Sequence, residues 1–240
     1  MRIAIVTDVH GHLDALEAVV ADVARQAPDA VVHGGDLAVI GPRPAEVVDR
    51  VRELGWPGVV GNTDQMLWEP GQQAAQESRA PGIRDWLRVL FETLAPWAGE
   101  RLGEERIAWL RQLPAEWRQA DLALTHASPG DLWRAPMPDA TDAELAAVYG
   151  DQRAGLAVYG HIHRPFVRRA RTLTIANTGS VGLPYDGDWR PSYLLVDDGV
   201  PTVRRVEYDV ERAIDDLSRG DFPLSDWLAE VQRRGSFRRP

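Results

Sequence analysis

RIAIVTDVHGH, residues 2–12, opens the chain with a short apolar run that turns abruptly polar at Asp8, His10 and His12. The apolar half reads as a buried strand. Beyond it, Leu13, Leu16, Val20, Val23, Ala24 and Ala27 keep the spacing of a helix that Pro28 stops. AVVHG (30–34) repeats the strand signal, PAEVVDRVRELG (44–55) the helix signal, and PGVVG (57–61) adds a third strand. Such alternation implies a parallel sheet with helices packed on it.

From about 64 to 114 the pattern turns helical and rich in tryptophan, with Trp68, Trp86, Trp97 and Trp109 set between breaks at Pro70, Pro81, Pro96 and Pro114. This stretch is expected to be a helical insertion, serving as a cap over a site, a subunit contact in a homo-oligomer or an ordinary helical layer. DLALTH (121–126) and GLAVYGHIH (155–163) bring strands back around a short helix near 139–149. PFVRRA, TLTIAN, SYLLVDD and PTVRRVEYD then alternate and are joined by turn residues, as in an antiparallel sheet. Two sheets in one chain imply an α/β sandwich flanked by helices. The segment 210–240 reads as two short helices and a basic, solvated terminus, RRGSFRRP. No linker or repeat interrupts the chain, so residues 1–240 are expected to form one domain.

Composition removes much chemistry. The chain has 240 residues, no cysteine, and 27 basic residues that are all arginine. Thiolate nucleophiles, iron–sulfur clusters, lysine Schiff bases and a P-loop lysine are therefore excluded. A formal charge of −9 argues against a protein that tracks a nucleic-acid backbone, which needs clustered cations. The first apolar run is too short for a signal peptide, and no run of about twenty apolar residues appears, so a cytoplasmic protein without a membrane span is expected.

Metal-binding side chains follow the predicted strands, where an α/β sheet usually carries its site. Asp8 and His10 follow the first strand, Asp36 the second and Asn62 the third; His126, then His161 and His163, follow later ones. If these segments are extended, Asp8 and His10 project to the same side, as do His161 and His163. Carboxylate, imidazole and amide oxygen together suit manganese, iron, zinc, cobalt or nickel.

In order, TDVHG, HGGDL, GNTD, LTHASP and YGHIH span residues 7–163. This series resembles the signature of the calcineurin-like metallophosphoesterase superfamily, and ANTGSVGLPYDGDWRPSYLLVD extends the likeness to its small single-domain bacterial and archaeal branch. The resemblance implies a four-layer α/β/β/α sandwich of two mixed sheets flanked by helices. It also implies a cofactor of two divalent metal ions, manganese first. Asp8, His10, Asp36 and His163 would hold one ion; Asp36, Asn62, His126 and His161 the other, with Asp36 bridging. Two divalent ions exceed the charge of two carboxylates and a bridging hydroxide, so an acidic protein would still attract phosphate there. In-line attack by that hydroxide on a phosphodiester is the implied reaction. The alternatives are a phosphomonoesterase, a dinucleotide polyphosphate hydrolase, or a non-catalytic metal- or nucleotide-binding module on the same fold.

The chain departs from the family where GN usually continues with a histidine that protonates the leaving group. Thr63 stands there. His12 is the candidate substitute acid, with Asp36 and Asn62 as catalytic partners. Arg43, Arg164 and Arg190 are candidates to clamp the phosphate of a small phosphate-ester or nucleotide substrate. His33 is expected either to support the ligands from behind or to lie in the core, and Asp64 to cap a helix, while Trp133 and Tyr185 are expected to pack.

Overall fold

The computed structural model describes all residues from Met1 to Pro240. In chain order the regular elements are β1 (Arg2–Val6), α1 (Leu13–Gln26), β2 (Ala30–His33), α2 (Pro44–Leu54), α3 (Asn62–Gln65), α4 (Gln73–Arg79), α5 (Arg84–Val89), α6 (Ala95–Leu110), β3 (Glu116–Gln119), β4 (Leu122–Thr125), α7 (Asp142–Tyr149), β5 (Leu156–Tyr159), β6 (Phe166–Ala170), β7 (Leu173–Asn177), β8 (Ser192–Asp197), β9 (Val200–Arg205), α8 (Val210–Arg219) and α9 (Ser225–Arg234). None of the helices is long and apolar enough to cross a membrane.

The strands form two mixed sheets, ordered β2-β1-β8-β9 and β3-β4-β5-β7-β6. Within them β1 runs parallel to β2, and β4, β5 and β7 run parallel to one another. Strand alternation explains the layers. Ile3 and Ile5 of β1 pack in one apolar cluster with Leu156 and Val158 of β5, between the sheets. The alternate residues Ala4 and Val6 face Leu16 and Val19 of α1 and Val47 and Val48 of α2. Ala157 and Tyr159 of β5 face Leu145 and Tyr149 of α7. The result is the expected α/β/β/α sandwich.

Several details differ from the sequence expectations. The four strands after His163 do not make one antiparallel sheet: β6 and β7 extend the second sheet, with β7 parallel to β5, while β8 and β9 extend the first. A period of two marks a strand but does not name its partner. Residues 57–61 touch β2 only at the bridge His33–Gly58, because Pro57 has no N–H for a ladder. The hairpin strand β3 pairs with β4 although Glu116, Arg118 and Gln119 give it little apolar pattern. On α1 the buried stripe is Ala15, Leu16, Val19, Asp22 and Val23, leaving Ala24 exposed.

The terminus RRGSFRRP is not a frayed tail. Gly187 N–H donates to Gly235 O at 2.8 Å, Trp227 Nε1 to Arg238 O at 2.7 Å, and Arg239 Nη2 to Gly82 O at 2.6 Å. Phe237 packs on Trp86 and Tyr185 with ring centroids 5.5 and 5.4 Å away. Helices α8 and α9 contribute Leu217, Leu228 and Val231 to a cluster shared with Trp86, Leu90 and Leu94 of the tryptophan-rich stretch. Two segments distant in sequence thus build one apolar body beside the sheets.

Asp22 ties α1 to the first sheet. Its carboxylate accepts from Tyr193 Oη at 2.7 Å, Arg204 Nε at 2.9 Å and Arg25 Nη2 at 2.9 Å. Burial works to raise the Asp22 pKa, but these donors hold it below the usual carboxylate range. The stabilisation is therefore present above the ordinary carboxylate pKa and lost as pH falls through the depressed one. Asp22→Ala is expected to cost about 2–4 kcal/mol at pH 7, because it leaves a buried hydroxyl and a half-buried guanidinium unpaired. Urea unfolding at pH 7 and at pH 3 checks both the cost and its fading in acid.

Candidate metal centre

Asp8, Asp36, His126, His161 and His163 all lie just past β1, β2, β4 or β5, so the carboxyl ends of two parallel strand pairs converge. The backbone there is not extended. Asp8, His10, Asp36, His161 and His163 have φ of 55, 51, 54, 64 and 56°, in the left-handed region. Each such non-glycine residue costs on the order of 1–2 kcal/mol, tolerated only where surrounding structure enforces it. The same-side rule for an extended chain therefore does not apply. His161 and His163 diverge to different partners.

Hydrogen bonds hold these loops in place. Asp8 N–H donates to Gly35 O at 3.0 Å and His10 N–H to Asp36 O at 2.9 Å. Asp64, expected as a cap, accepts from Asp36 N at 2.8 Å, Leu37 N at 3.0 Å and Gly61 N at 3.1 Å, so it pins two loops together. Thr63 N–H donates to Asp36 Oδ1 at 2.9 Å, and His161 N–H to Asp8 Oδ2 at 3.1 Å. Ser180 Oγ donates to Asp8 O at 2.7 Å. Gly61 must lack a side chain, since a Cβ there would run into Asp36 N and Oδ1.

Ring orientation shows what the pocket is built to hold. His10 Nδ1 lies 2.8 Å from Val39 O and His163 Nδ1 2.6 Å from Leu183 O. A carbonyl only accepts, so both Nδ1 atoms carry the proton and both Nε2 atoms present lone pairs. Those two Nε2 atoms face each other at 3.2 Å. Asp8 Oδ1 lies 3.3 Å from one and 3.9 Å from the other. On the other side, His126 Nδ1 donates to Gly34 O at 2.8 Å, which turns its Nε2 toward Asn62 Oδ1 at 2.9 Å and Asp36 Oδ2 at 3.5 Å. His161 Nδ1 lies 2.9 Å from the same Asn62 oxygen. The His10 and His163 lone pairs repel unless a cation lies between them, and the neighbouring carboxylates, imidazoles and amide oxygen complete a donor set that fits metal ions.

Charge within the cluster agrees. Burial opposes ionisation of Asp8, but the imidazole of His163, and then those of His126 and His10, hold its pKa well below the usual carboxylate range. Burial, followed by the neighbouring His163, pushes His10 well down. Burial and then His126 push His161 down to about 3. Both therefore stay neutral, as ligands must. Burial raises Asp36 to about 7, and the carboxylates of Asp64 and Asp8 add to the rise against the pull of His126. Burial would lower His126, yet Asp36 and Asp8 raise it overall. Near neutrality the Asp36–His126 pair consequently holds a proton that an incoming cation must displace.

The other candidates fall elsewhere. His12 is buried, but its Nδ1 pairs with Gln232 Nε2 at 3.0 Å in a small separate cavity with Tyr208 and Arg43. Burial lowers its pKa to about 3, so at neutral pH it is an uncharged imidazole and not an imidazolium acid. Arg43 lies 3.5 Å from Asp14, and Arg190 forks onto Asp188 at 3.0 and 2.7 Å. Only Arg164 borders the cleft beside the cluster. His33 is a core residue as expected, tilted against Trp109 at 6.2 Å. Trp133 stacks on Phe91, whereas Tyr185 stacks on His163 at 4.4 Å and lines the cleft. Trp86, Phe237 and Ile40 also line it. Sequence reasoning passed over these three because an apolar residue gives the same local signal in a core and in a cleft wall.

A family model described as the calcineurin-like phosphoesterase superfamily domain matches residues 1–198. The chain belongs to that superfamily. It is accordingly a metal-dependent phosphoesterase, a hydrolase of phosphoric ester bonds. Among curated relatives, the uncharacterized protein MJ0912 of Methanocaldococcus jannaschii is 28% identical over 95% of this chain and 96% of its own length. Phosphodiesterase YfcE of Escherichia coli is 25% identical over 85% of this chain and 91% of its own. The crystal structure of a metallophosphoesterase from Sphaerobacter thermophilus superposes on this phosphoesterase with a TM-score of 0.79 and 26% identity, covering 98% of this chain and all of that one. A hypothetical protein from Pyrococcus horikoshii, PH1004, shares the fold at a TM-score of 0.82 and 18% identity, with 99% of each chain covered.

Cation uptake by this phosphoesterase should expel the shared proton. Manganese added to metal-free protein at pH 6 in weak buffer is expected to release about one proton per chain from the Asp36–His126 pair. Apparent affinity should rise about tenfold per pH unit up to about 7 and then level off. Calorimetry in two buffers of different ionisation enthalpy measures the proton count. Gly61→Ala should weaken manganese binding by about 10–100-fold by displacing the Asp36 loop.

Proposed function

We propose that this phosphoesterase is a dinuclear phosphodiesterase that hydrolyses its substrate by in-line displacement at phosphorus. Asp8, His10, Asp36 and His163 would hold one divalent ion and Asp36, Asn62, His126 and His161 the other, with manganese the expected metal and iron, zinc, cobalt or nickel able to substitute. One observation carries the reading. Asp36 Oδ2 lies 3.7 Å from His10 Nε2 and 3.5 Å from His126 Nε2, so one carboxylate oxygen stands between an imidazole of each ligand set. When bound, the two ions would acidify a water toward neutral pKa and neutralise charge on the phosphoryl oxygens.

The chain's own residues then divide the remaining work. Asp64, through three amides, fixes the Asp36 loop, and Ser180 fixes the Asp8 loop. The Val39, Leu183 and Gly34 carbonyls hold the imidazole tautomers. Arg164, whose Nε donates to Tyr185 O at 3.2 Å, is the cationic side chain at the cleft and is available to a phosphate oxygen. With Thr63 in the cleft and His12 uncharged behind it, no imidazolium outside the ligand set is there to protonate a leaving group.

Two features favour a diester. A phosphodiester carries one negative charge, matched by one arginine, whereas a monoester or a polyphosphate presents more. Absence of a side-chain acid, usually worth about 10²–10⁴-fold, favours alcohols that leave as anions. YfcE, named a phosphodiesterase, supports the same direction.

The test is a substrate panel on protein stripped by chelator and resupplied with manganese. Bis(p-nitrophenyl) phosphate should be cleaved faster than p-nitrophenyl phosphate or diadenosine tetraphosphate, and the chelated protein should cleave none. Asp36→Asn should lower both metal content and kcat, by more than the ~10–100-fold typical of losing a supporting residue. A monoester or polyphosphate preference would overturn the diester reading. Metal bound without turnover would favour a binding module.

A further inference from the structure

Granting the phosphodiesterase reading, we infer that the cleft beside the metal-ligand cluster is a specificity pocket for one aromatic ester group of the substrate, bounded on its outer side by Phe237 of the C-terminal tail. The cleft, about 270 Å³ and open to solvent, is lined by His10, Asp36, Asn62, His161 and His163 on one wall. Its other walls are largely apolar, including Ile40, Trp86, Met137, Tyr185 and Phe237. Of those five, Met137 is 40% exposed at the rim.

Ring geometry identifies the occupant. Phe237 stands edge-on to both Trp86 and Tyr185, at interplanar angles of 63 and 61°. Tyr185 in turn stacks on His163 at 18°. An aromatic wall therefore runs without a break from a candidate metal ligand to the tail. Aromatic rings prefer offset or edge-to-face partners of their own kind, and such pairs add to plain area burial.

The polar inventory favours a plain aromatic group over its rivals. Outside the ligand set, the polar groups of side chains lining the cleft are the Thr63 hydroxyl, the Arg164 guanidinium, the Tyr185 phenol and the Trp86 indole N–H. A nucleobase there would find few side-chain partners for its ring donors and acceptors, so these walls give no base-specific readout. A polyphosphate would meet one guanidinium. A flat aromatic group needs neither.

The tail is what makes the pocket. Gly235, Arg238 and Arg239 are bonded to the 187 loop, α9 and Gly82, which fixes Phe237 between them. Phe237 lies beyond residues 1–198, the part matched by the family model. Specificity for the organic group is thus supplied by a segment appended to the metal-binding core.

Binding of phosphonates to manganese-loaded protein tests this by tryptophan fluorescence and calorimetry, without turnover. Phenylphosphonate is expected to bind at least tenfold more tightly than methylphosphonate. In Phe237→Ala that ratio should fall below threefold, and in Phe237→Leu, which keeps apolar volume but no ring, it should be intermediate. Inorganic phosphate serves as the probe of the metal site itself. Phosphate binding with equal phenyl and methyl affinities, or a phenyl preference that survives Phe237→Ala, would overturn the inference and leave the phosphodiesterase reading standing. Failure of all three anions to bind the loaded protein would overturn that reading and this one with it.

Discussion

Lone pairs pointed at one another, with no proton between them, are the constraint around which this molecule is arranged. The His10 and His163 Nε2 atoms face each other at 3.2 Å, and next to them Asp36 and His126 hold a proton in the place of a cation. Each ring is fixed from behind by a backbone carbonyl, so none can rotate to relieve the repulsion without forfeiting a buried hydrogen bond. The left-handed backbone at Asp8, His10, Asp36, His161 and His163 adds strain to the same few loops. Such a cluster is stable only because the surrounding sandwich enforces it, and a bound cation is what makes the enforcement useful.

The sandwich enforces it by convergence. The β1–β2 and β4–β5 pairs end at the same edge, so four loops from two sheets arrive together. Asp64 links the Asp36 loop to Gly61, and the Asn177 amide, bonded to Gly160 O at 2.6 Å, holds the loop carrying His161 and His163. The apolar layer between the sheets, Ile3 and Ile5 against Leu156 and Val158, sets the separation of those ends. Apolar burial far from the chemistry therefore positions the polar atoms that perform it.

Most of the first sixty residues were legible because strand and helix signals alternate there and each predicted strand is followed by a candidate metal ligand. Asp8, His10, Asp36, Asn62, His126, His161 and His163 are brought together, although for a different local reason than an extended chain would give. The partners of β6 to β9 were not legible, since alternation carries no register between distant segments. His12, Arg43 and Arg190 misled because adjacency in sequence says nothing about direction: one helical turn aims His12 at Gln232, and nearby carboxylates engage both arginines. Phe237 was hidden by its neighbours, four arginines whose charge suggested solvent while the ring packs inward.

Anomalous diffraction from crystals soaked in manganese, recorded on both sides of the metal absorption edge, addresses the centre most directly. Two peaks are predicted, one among Asp8, His10 and His163 and one among Asn62, His126 and His161, with Asp36 touching both. A single peak, or peaks that leave Asp36 unligated, would contradict the account.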